Sequence, residues 1–322
     1  MNLITTATLP DHVQETVTLQ GRCLYAKHRR SQHDRAFYEL HFADSHGSAV
    51  VQVWSGNMLY DKFREIDWEE LPPIELVGRV IQLDHCLRVK AEEISVVSDS
   101  HICNGAQLIP SAWVPLAARE AHAWLVQFID TMQSPSLRTF MTGLLLDSSI
   151  GIPFIRSRAS VNNHHNYPGG LLVHSVQMAR MIEALAQILG LSEEERLIAQ
   201  IGALLHDLGK IHTVGAKSPR PMSPSHFRHE SQTLLLVAKH LNDLHQHAPR
   251  EAMLLNHVLD RLASSRSCND PLKSCTAYSR LTRGESCERT IGFQALDRQA
   301  QSGLGQGVDA RPNDISRGRQ AA

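Results

Sequence analysis

Two periodicities divide the chain. Up to about residue 97, apolar positions recur at every second residue in short, β-rich runs. These are "ETVTLQGRCLYA" (15–26), "AFYELHFA" (36–43), "SAVVQVW" (48–54), "IELVGRVIQL" (74–83) and "CLRVKAEEISVV" (86–97). Alternation of this kind marks strands with one face in a core. "DSHG" (44–47) is a turn between the second and third runs. Residues 57–66, "NMLYDKFREI", have helical spacing and predict a short helix or turn. Five strands with a helical insert between the third and fourth is the order of an OB-type barrel. An SH3-like barrel is the competing arrangement.

From residue 115 the period becomes 3.6. Helices are predicted over 116–133, 135–147, 171–189, 193–207, 226–246 and 250–263. Gly190 ends the third. Ser192 and Glu195 form a capping box that opens the fourth, and Gly209 suits its C′ position. Residues 98–114, with Cys103, Asn104, Gly105 and Pro110, read as a linker. After 264 the chain turns to Ser, Arg, Gly and Gln with little periodic apolar content. The expected organisation is two-domain: an N-terminal all-β OB-type barrel (1–97), a linker (98–114), an all-α helical bundle (115–263), and an atypical, largely disordered tail (264–322).

Composition narrows the function. With 322 residues, 42% apolar and 20% charged, the chain reads as a globular protein of two ordinary domains. A formal net charge of −1 excludes a globally basic footprint, so any nucleic-acid contact must come from a local patch. The six cysteines form no C-x-x-C pair, which argues against a thiolate zinc site. "MNLITTATLPDHVQ" lacks the basic and apolar regions of a signal peptide, and no apolar run is long enough for a spanning helix. A cytoplasmic setting without membrane contact is expected. The 19 histidines point instead to metal chemistry.

The candidate chemistry sits at "LLHDLGKIH" (204–212). Helix neighbours point about 100° apart, yet at a helix end His206 and Asp207 can converge on one ion. Imidazole with carboxylate suits zinc, iron, manganese or nickel. By itself such a dipeptide is more often a satisfied polar helix end. Lys210, within one turn, could offset charge on phosphate oxygens. In "HHNYPGGLLVHSVQMA" (164–179), His174 lies one turn into a helix that opens after Gly169-Gly170. His164 and His165 on the preceding loop either bond a substrate phosphate or line a polar loop. His229, in "SHFRHES" (225–231), starts another helix as a ligand or as a solvated terminus. His257, flanked by apolar residues, is a fourth candidate ligand, with a core histidine the expected reading. In the β half, "KHRRSQHDR" (27–35) joins the first two strands. Lys27, Arg29, Arg30 and Arg35 there could track a phosphate backbone. Tyr38, Phe42 and Trp54 either stack bases or pack the core, with core packing expected for at least two of them.

"GGLLVHSVQMA" followed by "LLHDLGK" resembles the HD superfamily of metal-dependent phosphohydrolases. His174, His206 and Asp207 match that motif's first histidine and its His-Asp doublet. The narrower "HH-x-Y-x-GGLL-x-H" and the OB-type half make residues 15–260 similar to bacterial 3′–5′ exoribonucleases that join an OB-fold to an HD domain. The resemblance implies a divalent ion (Mn, Fe, Mg, Ni or Zn) held by His174, His206, Asp207 and His229. Lys210, His164 and His165 would serve the reaction. Single-stranded nucleic acid, RNA ahead of DNA, would be trimmed from its 3′ end, with Lys27, Arg29, Arg30, Arg35 and Trp54 contacting it. The sequence departs from the family where a distal Ala-Asp pair is expected, since Thr282-Arg283 stands there. Leu262-Ala263 also replaces a His-His pair of some relatives, and Asp260, Asp270 or Asp297 could substitute if the fold brings one close. Two other readings remain: a nucleotide phosphohydrolase, and a degenerate HD protein that only binds single strands.

Overall fold

The strands of the N-terminal half pair in an order that returns to its start. This is a computed structural model, and it describes residues 3–56, 58–66, 72–83, 86–97, 104–215 and 229–264. Its strands are β1 (Leu3–Ile4), β2 (Thr16–Arg30), β3 (Ala36–Ala43), β4 (Ser48–Trp54), β5 (Pro73–Leu83) and β6 (Cys86–Val96), with helix α1 (Met58–Glu65) between β4 and β5. β2 pairs antiparallel with β3, and β3 with β4. β4 runs parallel to β6, β6 antiparallel to β5, and β5 pairs back onto β2. The short β1 lies parallel to β2. The apolar half of each alternation meets inside: Leu19, Leu40, Phe42, Val51, Val53, Ile74, Leu76 and Val89 are buried together, with Leu59 and Phe63 of α1 against them. Gly21 permits the tight crossing of β2 over β3, because a Cβ there would stand 2.4 Å from the Ala43 carbonyl oxygen.

β3 and β4 fall where alternation puts them, but β2 runs four residues further. Lys27, His28, Arg29 and Arg30 are paired with Glu39, Tyr38, Phe37 and Ala36, so the first half of "KHRRSQHDR" is strand. This arm is exposed over Tyr25–Arg30, and without burial there is no apolar alternation to announce it. The turn itself is Ser31–Arg35, closed by Ser31 N on Arg35 O, with Asp34 in the left-handed region at φ 56°.

Residues 104–114, expected as a linker, form a packed joint. Asn104 donates through Nδ2 to Val126 O and Asp130 Oδ1, and accepts through Oδ1 from the amides of Ala106 and Gln107. His122 bonds Ala106 O at 3.0 Å. On the other side, Ser45 N donates to Gln107 O and Ser111 N to Asp44 O. The guanidinium of buried Arg22 lies 5.8 Å over the Trp113 ring. The segment's polar backbone is therefore satisfied from both halves, which belong to one compact unit, Met1–Ser279.

The helices are α2 (Arg119–Asp130), α3 (Pro135–Leu146), α4 (Gly151–Arg156), α5 (Gly170–Leu189), α6 (Glu193–Leu205), α7 (Lys210–Thr213), α8 (His229–His247) and α9 (Pro249–Ser264). Ser192 and Glu195 do form the capping box of α6. Gly169 and Gly190 flank α5 at positive φ. Leu125, Ile129, Leu144, Phe154, Leu172, Ile198, Leu204, Leu205, Leu255 and Val258 are among the buried core. The reading of Gly209 as a left-handed C′ residue is corrected: its φ is −58°, and it precedes α7. A glycine is required there for space, since a Cβ would stand 1.9 Å from His229 O. Among the described residues, no helix is long and apolar enough to cross a membrane. The expected tail beyond Ser264, with Asp270, Thr282-Arg283 and Asp297, lies outside the described residues, as do 225–228.

Candidate metal centre

Helix α6 delivers the doublet to the interior. Leu197 through Leu205 are all buried, so the end of α6 is fixed by packing before any polar contact forms. His206 keeps helical backbone angles and Asp207 follows in the turn; they are 4% and 0% exposed. The Nδ1 of His206 donates to Ala203 O at 2.8 Å, which leaves Nε2 facing the site. His174 comes from α5. Its preceding loop is drawn in by Gly170, where a Cβ would meet His165 O at 2.0 Å. His229 comes from the first turn of α8.

These elements meet on one carboxylate. Asp207 Oδ2 is 3.3 Å from His174 Nε2, 3.2 Å from His206 Nε2 and 2.5 Å from Lys210 Nζ. Asp207 Oδ1 is 3.1 Å from His229 Nε2. The ligand atoms of His174, His206 and Asp207 lie within 4.8 Å of one another. His229, 30% exposed, reaches the other oxygen from the rim. Despite these separations, the Nε2 atoms of His174 and His206 and Oδ1 of Asp207 make no hydrogen bond of acceptable geometry. Buried nitrogen and oxygen donors that converge without satisfying one another fit a divalent ion of mixed N/O preference.

The electrostatics agree. Burial pushes the Asp207 carboxyl up, but the charge of His206 and the close imidazoles of His174, His206 and His229 hold it well below the usual carboxylate range. Burial pulls the His206 imidazole down, yet the Asp207 charge and the bond to Ala203 O raise it above its ordinary value. The pocket thus keeps an anion and attracts positive charge to it.

Around this centre, His165 sits at φ 59° with its Nδ1 3.0 Å from Tyr167 Oη. Its ring centroid lies 5.6 Å from that of His174. Burial and then the charge of His174 lower the His165 imidazole below its ordinary value. His164 is exposed, and its carbonyl accepts from Ser160 Oγ. His257 is half-buried on α9 and is not in the cluster. Asp260 is exposed on α9.

The β half carries a second arrangement. Residues paired across strands share a face, so the register puts Tyr25, Lys27 and Arg29 with His41, Glu39, Phe37 and Trp54. Trp54 stacks on Phe37 at 4.5 Å, with the Arg35 guanidinium 5.6 Å over its ring. Tyr25 stacks on His41 at 4.2 Å, with Lys27 Nζ 5.1 Å over Tyr25. Tyr25 and His41 are additions to the sequence reading; alternation around Lys27 was their only signal. Arg29 is paired with Glu39. Arg30 is paired with Asp34 and belongs to the opposite face, with Tyr38 and Leu40. Phe42 is fully buried, and Tyr38 packs on Phe63 and Tyr60.

Residues 171–278 of this chain match the HD domain family, and within that span the buried His-Asp doublet that follows α6 faces a histidine on α5. The chain is similar to the 3′-5′ exoribonuclease YhaM of Bacillus subtilis (strain 168), at 23% identity over 231 residues, spanning 70% of this chain and 69% of that protein. Among solved structures, the second OB-fold domain of replication protein A from Methanococcus maripaludis aligns with 30% of this chain and 96% of its own length, at 18% identity and a TM-score of 0.24.

Proposed function

We propose that this protein is a metal-dependent phosphodiesterase that trims single-stranded nucleic acid, RNA ahead of DNA, from the 3′ end. The observation that carries this is the convergence of His174 Nε2, His206 Nε2 and the buried Asp207 carboxylate, none of them satisfied by the others. His174, His206 and Asp207 would hold the ion, with His229 on the outer carboxylate oxygen. When bound, a divalent ion supplies Lewis acidity toward a phosphoryl oxygen and acidifies a water. Lys210 places an ammonium beside the carboxylate, where it would offset charge building on the phosphate. His165, and His164 outside it, would bond the phosphate on the side of α5.

The substrate reading rests on the β half, taken here as an OB-type barrel over residues 1–97 that serves a catalytic region over 115–263. Its closed pairing order, the parallel β4–β6 pair and the helix before β5 support that assignment. Two stacked aromatic pairs on one face, each with a cation over it, suit unpaired bases and their backbone. The similarity to an exoribonuclease points the same way.

The test is Asp207→Ala. The variant should lose bound metal and cease to shorten a 5′-labelled single-stranded RNA, while its helical circular dichroism persists. Shortening at the wild-type rate by the variant sinks the reading.

A further inference from the structure

Within the metal-site reading above, on which this inference rests, one ligand lacks an obvious support. His206 and Asp207 are fixed by the packed end of α6, and His174 by a full turn of helix before it. His229 is the first residue of α8, and a first turn frays unless something ties it. Residue 233, one turn on, supplies a tie. Thr233 is 2% exposed. Its Oγ1 accepts from Gly209 N at 2.8 Å and lies 3.2 Å from His206 O and 3.1 Å from His229 O. A hydroxyl has one proton and two lone pairs, so Thr233 accepts from Gly209 N and shares its single proton between the His206 and His229 carbonyls.

We propose that Thr233 is a positioning residue of the metal centre, clasping the turn after Asp207 to the first turn of α8 and thereby setting where His229 stands. A threonine bonding the carbonyl four residues back in its own helix is commonplace. The bond the same oxygen accepts from Gly209 N, and its contact with His206 O, both on a different element, are not explained by that habit. Gly209 is the other half of the clasp. A Cβ there would stand 1.9 Å from His229 O and 2.8 Å from Gln232 Cβ. The close approach is therefore built from a glycine that gives room and a hydroxyl that holds it shut. His212 Nδ1, 3.3 Å from Gln232 Oε1, adds a second contact between α7 and α8. The product of this arrangement is the 3.1 Å separation between His229 Nε2 and Asp207 Oδ1.

Calorimetric titration of the full metal-free chain with Mn2+ alone tests this, with apo thermal midpoints measured alongside. Thr233→Val should weaken Mn2+ binding roughly tenfold, the scale seen when residues behind metal ligands are removed. Thr233→Ser keeps the hydroxyl and should stay near wild type. In a His229→Ala background, Thr233→Val should cost little more, because the residue through which it acts is gone. Wild-type affinity in Thr233→Val, or the same loss with and without His229, overturns the clasp. If Asp207→Ala abolishes binding while Thr233→Val leaves it intact, the clasp alone fails. If the wild-type chain takes no Mn2+, the metal reading fails and the clasp with it.

Discussion

Lys210 Nζ stands 2.5 Å from Asp207 Oδ2, the oxygen that also faces the Nε2 atoms of His174 and His206. The ammonium is thus the nearest positive charge to a fully buried carboxylate, and an arriving divalent ion must compete with it. Lys210→Met should tighten Mn2+ binding, because a like charge is removed, and slow hydrolysis at saturating metal by roughly a hundredfold, because the phosphate loses its counter-charge. The metal-free variant should also unfold at lower temperature, since an unpaired buried carboxylate is costly, and added Mn2+ should restore it. Weaker binding with unchanged turnover would mean that Lys210 only props the carboxylate.

His174 and His229 should not be equivalent. His174 belongs to the mutually close trio, whereas His229 meets the other oxygen from the rim. His174→Ala should abolish measurable Mn2+ binding, and His229→Ala should weaken it without abolishing it. An ion that binds only the folded chain raises its stability by mass action. EDTA should therefore lower the thermal midpoint of metal-loaded wild type and leave that of Asp207→Asn unmoved. Equal effects of the two alanines on affinity would place His229 inside the trio.

What the sequence could announce follows from what burial does to it. β3 and β4 were legible to the residue because one face of each is sealed. The extension of β2 through Arg30 was not, because an arm exposed on both faces is polar throughout. α4, six residues long, is too short to show a helical period. Residues 104–114 have loop composition, and only the hydrogen bonds of Asn104, Gln107 and Ser111 reveal a joint. At the candidate site, the convergence of His174, His206 and Asp207 is what the motif leads one to expect. Gly209 has the composition of a helix terminator, but its cause is a helix 20 residues further on. Tyr25 and His41 leave no mark in the sequence because their stacking exists only across strands.

The stacked face separates two kinds of aromatic residue. Tyr25 is 44% exposed, whereas Phe42 is fully buried. His41 and Phe37 lie four residues apart on β3, so the two platforms are about 13 Å apart at a strand's rise per residue. Tyr25→Ala and Trp54→Ala should each weaken binding of a fluorescent single-stranded RNA by about 1–3 kcal/mol, read by anisotropy with an Asp207→Asn background to prevent cleavage. Phe42→Ala should instead lower the unfolding free energy by about 3–5 kcal/mol. Lys27→Ala should weaken RNA binding more than Arg30→Ala, because Arg30 lies on the opposite face. Unchanged affinity in the Tyr25, Trp54 double variant would remove this face from the substrate path.

His122 gives the fold a pH dependence of its own. It is 4% exposed on α2 and donates to Ala106 O, securing the joint between the halves. Burial drives its imidazole from the ordinary 6.5 down to about 4; the Ala106 carbonyl opposes that shift and the nearby His46 charge adds to it. The folded chain therefore keeps His122 neutral where the unfolded chain would protonate it. Stability contributed by this residue is complete above pH 6.5, falls as pH drops toward 4, and is level below that. The full loss is about 3 kcal/mol at about 1.4 kcal/mol per pH unit. His122→Gln keeps a donor for Ala106 O but cannot titrate. Urea unfolding of both proteins from pH 7.5 to 4 should show the wild type losing stability faster, by about that amount. The centre around Asp207 is common to both proteins, so its titration cancels in the difference. A difference that stays flat across this range would show that His122 is not held neutral in the folded chain.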